Sequence, residues 1–235
     1  MVYNLNTQIT MKLLLCLGAV LCSLEIYAQD CNGYYFLQNN KTIEMAILNK
    51  KGEQSAKQIY TVSNVNNSGS SATADLNSEM FDKKGKSMAK GKAKIKCDGG
   101  MMMVDMKMSI PQSPGMPNAA ESDVKAEDIF MEYPTSMNVG DNLKNATMHM
   151  DMDNNGMKQS VDMEVFDRKV EAKEKITTPA GSWDCYKISY KSKMKIKTMG
   201  IGMPMNIEGV EYFAPGFGVV KTQSKNGGTE IVAIR

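Results

Sequence analysis

The sequence predicts an all-β protein: one long curved antiparallel meander that closes into a barrel or half-barrel, preceded by a signal peptide. Three observations carry that reading. Apolar and polar residues alternate with a period of two, most plainly over Trp183–Thr198. There Lys187, Lys191, Lys193, Lys195 and Lys197 take odd positions, while Tyr186, Ile188, Tyr190, Met194 and Ile196 take even ones. Side chains of a strand point alternately to opposite faces, so one side is wet and cationic and the other buried. Turn residues recur at short intervals, and no stretch of useful length has helical periodicity. A strand over Trp183–Thr198 would span about 50 Å at about 3.3 Å per residue, so bends or bulges are expected.

Taken in order, the chain opens with an extension, Met1–Thr10, and then Met11-Lys12 before an apolar run from Leu13 to Cys22. A basic residue, a short apolar core and a small residue at Ala28 are the parts of a secretory signal. The run is too short for the roughly 20 residues of a spanning helix. The expected division is residues 1–28 as extension and signal peptide, and 29–235 as a single β domain. An uncleaved anchor is the bland alternative. A lipid-modified Cys22 fits less well, because Val20-Leu21 lacks the small residue expected before it.

Asp30–Gly33 is a turn-like entry and Tyr34–Leu37 a short apolar start. Strands are expected over Thr42–Leu48 and Ser55–Val65, with turns at Asn49–Gly52 and Asn66–Gly69. A hairpin follows. Ala72, Ala74, Leu76 and Met80 share a face on its first strand; Ala93, Ile95 and Cys97 share one on the return. Lys90, Lys92, Lys94 and Lys96 line the opposite, wet side, facing an acidic row that includes Asp75 and Glu79. Cross-strand charge pairs of this kind are worth about 0.2–1 kcal/mol each, and a neutralised solvated face is the expected reading. Met101–Ile110 is expected to be one strand with Met102, Val104, Met106, Met108 and Ile110 inside. Pro111–Ser122 reads as a long loop, and Asp128–Tyr133 as a short element, helical at first.

A second hairpin places Ala146, Met148, Met150 and Met152 on one face and His149, Asp151 and Asp153 on the other. Its turn is Asn154-Asn155-Gly156, and Met157, Val161, Met163 and Val165 face inward on the return. Val170–Ile176 leads into the long strand, and Gly200–Pro204 reads as a loop. Ile207–Phe213, Val219–Ser224 and Thr229–Ile234 complete the meander.

Composition excludes several function classes. The formal charge is +2, and Arg168 and Arg235 are the only arginines among 28 basic residues. Arginine is the preferred residue for bidentate phosphate recognition, so no nucleic-acid partner is expected. Cys31, Cys97 and Cys185 survive signal removal and allow one disulfide with one thiol left over. Parity puts Cys97 inside and Cys185 on the lysine face; the spacing does not choose the pair. These three thiols and one histidine are too few and too scattered for a zinc site, and no cofactor is expected.

Several stretches, Lys96–Gly100, Thr178–Tyr190 and Tyr212–Lys221, resemble the TapB-like exported proteins of Bacteroides-type bacteria, a family of unknown function. Phe81–Ser87, Glu132-Tyr133-Pro134 and Val139-Gly140-Asp141 fit the same pattern. The resemblance spans nearly all of the mature chain. It implies the cell envelope or periplasm of a Gram-negative bacterium and a barrel or half-barrel similar to lipocalin-like and LolA-like carriers. It supplies no catalytic residues.

Little chemistry is on offer. His149 is the only histidine, on a wet face with Asp151 two residues on, and no nucleophile elbow accompanies it. No phosphate-cradling glycine loop is present. A non-enzyme is expected. The anomaly is methionine: 22 in the chain, all but two after the signal. In the leading reading Met102, Met106, Met108, Met148, Met150, Met152, Met163, Tyr190 and Met194 line an interior that holds a lipid or other apolar small molecule. Methionine is flexible and polarisable and adapts to varied ligands. A plain core is the bland alternative. A second reading is a soft-metal Cu(I) site from Met148, Met150, Met152, Met203 and Met205, since thioethers favour that ion. A third is a structural module that meets an envelope protein partner through a sheet edge or the 111–122 loop. The chain is read as a monomer.

Overall fold

A computed structural model describes residues 31–110, 130–154, 157–198 and 201–235. The signal peptide and the Pro111–Ser122 loop lie outside the described residues. The strands are β1 (Thr42–Asn49), β2 (Gln54–Ser68), β3 (Ser71–Asp82), β4 (Ser87–Asp98), β5 (Met101–Asp105), β6 (Phe130–Tyr133), β7 (Ala146–Asn154), β8 (Met157–Thr178), β9 (Gly181–Thr198), β10 (Ile201–Ala214), β11 (Gly218–Ser224) and β12 (Gly227–Ile234). They form one antiparallel sheet in the order β6-β5-β4-β3-β2-β1-β12-β11-β10-β9-β8-β7, curled into a nearly closed barrel.

The order explains the closure. Two meandering arms meet where the first and last strands pair, Ile43 opposite Ile234 and Ala46 opposite Glu230. The two free edges are therefore β6 and β7, which are neighbours in the chain. The link between them, residues 134–145, crosses the remaining gap. It bonds along β8 as it goes: Gly140 N–H donates to Val170 O, Val170 N–H to Asp141 O, and Leu143 N–H to Arg168 O.

Alternation places the core as expected over most of its length. Ala72, Ala74, Leu76, Met80, Ala93, Ile95 and Cys97 are buried, and Lys191, Lys193 and Lys195 are exposed. Asp75 stands opposite Lys94 and Glu79 opposite Lys90 in the ladder, so the acidic and basic wet rows do face each other.

Four local expectations are corrected. The Met101–Ile110 strand stops at Asp105, whose carboxylate accepts the Lys107 N–H and caps a 3-10 turn over Met106–Ser109. Residues Phe130–Tyr133 are a strand, paired with β5. Ile201–Pro204 are strand, not loop. Pro204 is tolerated because β11 flanks β10 only from Gly209 onward, leaving residue 204 on a free edge. Finally, Cys185 is buried although it shares parity with the lysines. Trp183, two residues earlier, lies against Phe217, which stacks on Tyr35 and meets Phe36 edge-on. At this end of β9 both Cys185 and Tyr186 are buried, so both of its sides are covered.

The N-terminal segment plugs that end. Cys31 is joined to Cys97 at the end of β4, and Cys185 is the free thiol. Two short 3-10 turns then bury Tyr34, Phe36 and Leu37. Tyr35 fastens the plug, its hydroxyl donating to Arg235 O at 2.6 Å and its N–H to Gly216 O at 3.2 Å. Burial, followed by the charges of Asp184 and Glu174, pushes the Cys185 thiol up to about 12, so it stays protonated at neutral pH.

Candidate functional site

The middle of the barrel is not filled. A chamber of about 400 Å³ is walled by side chains from β1–β6, β8–β12 and the 3-10 turn after β5. Interiors normally hold few voids larger than a water molecule, so this space is a built feature rather than loose packing. The wall is apolar for the most part: Met45, Ile47, Ile95, Met102, Val104 and Val165 belong to it. Its far end, beyond the plug, is bordered by Leu48, Ile207 and the Ser224–Gly228 turn.

Of the residues expected inside, Met102, Met108, Met163 and Tyr190 stand on the chamber wall. Met106, Met148, Met150 and Met194 are buried in the continuous core instead. The side chain of Met152 lies outside what is described. Met45, Met80 and Met131 join the wall without having been expected there.

The soft-metal set is partly brought together. Register aligns Met148, Met163, Met194 and Met205 as successive cross-strand neighbours on one face of β7–β10. Met205 is 37% exposed at the end of that row. Met150 lies in the next row, and the Met203 side chain is not described. His149 points to the opposite, wet face. Its Nδ1 is 2.6 Å from Asp162 and its Nε2 3.3 Å from Asp151.

Those carboxylates raise the His149 pKa above its usual 6.5, Asp162 foremost and then Asp151. A raised folded value means the pairing stabilises fully below 6.5 and fades as pH rises through the folded value. We therefore expect an NMR titration of the His149 ring to give a midpoint above 6.5. Asp162→Asn should bring it down; an unchanged midpoint would mean the pair does not form in solution.

A polar cluster completes the chamber, and sequence reasoning missed it. Glu211, on the wall, accepts from the Tyr133 hydroxyl at 3.0 Å and from Arg168 Nη2 at 3.3 Å. Arg168 is only 1% exposed. Its other terminal nitrogen, Nη1, donates to Glu132 O at 3.1 Å and Lys144 O at 3.0 Å. The guanidinium thus ties edge strand β6 to the segment entering β7, across the gap the ladder leaves open. Its Cζ also lies 4.7 Å over the Tyr133 ring, which stacks on Phe213 at 4.7 Å.

A bulge aims Arg168 inward. Asp167 has φ of 51°, and the β8–β9 register shifts between Phe166 and Lys169. Before the bulge Val161, Met163 and Val165 are the buried positions; after it they are Arg168 and Val170. Opposed parity of Val165 and Val170 was the available sign. Burial alone would lower the Arg168 pKa, but Tyr133 and Glu211 reverse that and keep it charged. Burial, then the Glu211 charge, drives the Tyr133 phenol well above its usual value, so it remains a donor.

Two more polar residues, Tyr190 and Ser192, line the chamber from β9. Burial, with Glu211 beside it, raises the Tyr190 phenol to about 12. Its hydroxyl lies over Gly209, where a Cβ would stand 3.0 Å from it and 2.8 Å from Gln223 O. Only glycine leaves that room. Ser192, two residues further along the same face, is 3% exposed, and its Oγ has no hydrogen-bond partner among the described residues.

Fold and site together define an antiparallel β-barrel, plugged at one end, around a largely apolar chamber. The chain belongs to the DUF3108-like family, whose profile matches residues 38–234. Two solved structures share the fold. One is from Bacteroides fragilis, described as a predicted exported protein with a YmcC-like fold. It is 22% identical, with a TM-score of 0.66 over 84% of this chain and 96% of that one. The other, from Parabacteroides distasonis, is described as a predicted lipoprotein. It is 21% identical, with a TM-score of 0.68 over 86% of this chain and 98% of that one. No match is found among curated proteins.

Proposed function

We propose that this is an exported envelope protein that holds one apolar or amphipathic small molecule in the barrel chamber. The chamber itself carries the reading. It is a concave, mainly apolar surface inside the barrel, and apolar surface left facing water is unfavourable by about 25 cal/mol per Å². Such a space is tolerated when it is wet or filled, and a mainly apolar wall favours filling by an apolar group. The volume sits at the lower end of the roughly 300–1,000 Å³ usual for small-molecule sites. Methionines on the wall suit a ligand of irregular shape.

Export rests on the leader pattern, on the Cys31–Cys97 disulfide and on the descriptions of the two structural neighbours. The narrower TapB-like resemblance and a periplasmic location belong to the same proposal. So do a non-catalytic role, a monomeric state and the absence of a nucleic-acid partner.

Native mass spectrometry of protein purified from its own envelope tests the reading. A co-purifying apolar molecule is the expected result. Ile207→Trp, which places a ring at the chamber's rim, should lower its occupancy several-fold without unfolding the barrel. A clean apo mass, together with no displacement of a fluorescent lipid probe, would remove the carrier reading. The aligned thioethers of Met148, Met163, Met194 and Met205 favour a second reading, a Cu(I) site, which would show as a copper adduct.

A further inference from the structure

We infer that the chamber takes an amphiphile with a single alkyl or acyl tail, whose end rests against Phe36, so that the N-terminal plug sets the longest tail that fits. This rests on the carrier reading and gives it a ligand class and a length determinant.

The space fixes the number of tails. An apolar cavity of about 150 Å³ is enough to hold one benzene. On that scale the chamber, at about 400 Å³, encloses about sixteen carbons, the content of one tail. A two-tailed lipid would leave its second tail in water, where that apolar surface gains nothing from the protein.

One end of the chamber is blocked. Phe36 is the plug residue on the wall. A Cβ on Gly218 would stand 3.2 Å from Met102 Cε and 3.4 Å from Phe36 Cε2, so these side chains and the Gly218 backbone close together there. The Phe36 ring is held from several directions. Phe217 meets it edge-on at 5.6 Å, the neighbouring Tyr35 bonds to the Arg235 and Gly216 carbonyls, and the Cys31–Cys97 bridge anchors the segment. A floor fixed in this way does not retreat before a longer tail. At the other end Leu48 and Ile207 are only half-buried and Asn226 is exposed, so a head group at that rim meets water.

The test is displacement of the fluorophore N-phenyl-1-naphthylamine from the mature protein by straight-chain alkanols, octanol to octadecanol. Affinity should rise about fourfold per added methylene, the worth of burying one, and level off near hexadecanol. An alkanol branched into two tails of that length should bind no more tightly than hexadecanol. Phe36→Ala removes the ring at the floor and should move the plateau to longer alkanols, because a core vacated in this way collapses only in part. Val104 is half-buried on the wall, two residues along β5 from Met102 and away from the plug. Val104→Phe should move the plateau to alkanols about four carbons shorter, the number the ring adds to a filled space. It decides the matter if Phe36→Ala fails to fold. Affinity that climbs to octadecanol without levelling, a branched alkanol that binds about tenfold more tightly, or a plateau that a folded variant leaves in place overturns the single-tail inference alone. Failure of the fluorophore to bind, or of every alkanol to displace it, overturns the inference and the carrier reading together.

Discussion

Arg168→Met lowers the unfolding free energy by about 3–5 kcal/mol, read from urea or guanidinium midpoints. The magnitude follows from what remains behind. Glu211 keeps its buried charge but loses the guanidinium that balances it, and breaking a buried pair from one side typically costs that much. Two carbonyls, of Glu132 and Lys144, lose their donor at the same time. A double substitution, Arg168→Met with Glu211→Gln, should recover a good part of the loss, since no uncompensated charge is left inside. A double variant as unstable as the single one would show that the guanidinium matters chiefly as a strap between β6 and β7. Hydrogen exchange separates the two contributions. Strap loss should raise exchange first in β6 and residues 138–144, while β1 and β12 stay protected.

Removing the disulfide should be of similar size. Cys31 and Cys97 are 66 residues apart, and the chain-entropy account assigns a loop that long about 4 kcal/mol. Cys31→Ala with Cys97→Ala should therefore shift the denaturation midpoint sharply. The N-terminal plug should loosen as well, because Tyr34, Phe36 and Leu37 are held on a short segment whose anchor has gone. Limited proteolysis near residues 38–41 is the readout. A variant with an unchanged midpoint and an intact N-terminus would mean that the Tyr35 hydrogen bonds to Arg235 and Gly216 hold the plug by themselves. Cys185 should not substitute as a partner, since it is buried beside Trp183 and stays a thiol.

The contrast between methionines and Arg168 shows what could be seen beforehand. Met102, Met163 and Tyr190 were placed inside by alternation alone, because their strands run straight through those positions. Arg168 was not, because the bulge at Asp167 moves every later residue of β8 to the other face. Its neighbours Asp167 and Lys169 make it look like part of a solvated run. Glu211 was hidden for a related reason: alternation places it inside, yet an acid there makes sense only once a partner from β8 is in view. Cys185 failed differently, since parity is local and the cover over that end of β9 comes from Phe217 and Tyr35, far away in the chain.

By itself the sequence determined the all-β class, the number of strands to within local detail, and which face of most strands meets water. Those properties arise from neighbours within a few residues, where a period of two and the chemistry of turns leave little freedom. Only the tertiary structure decided that β1 meets β12, that an arginine straps the remaining gap, that Cys31 pairs with Cys97, and that the centre holds a chamber with Glu211 and an unpartnered Ser192 on its wall. Each of these joins or encloses positions remote in the chain, and local alternation carries no information about which remote strand a face will meet.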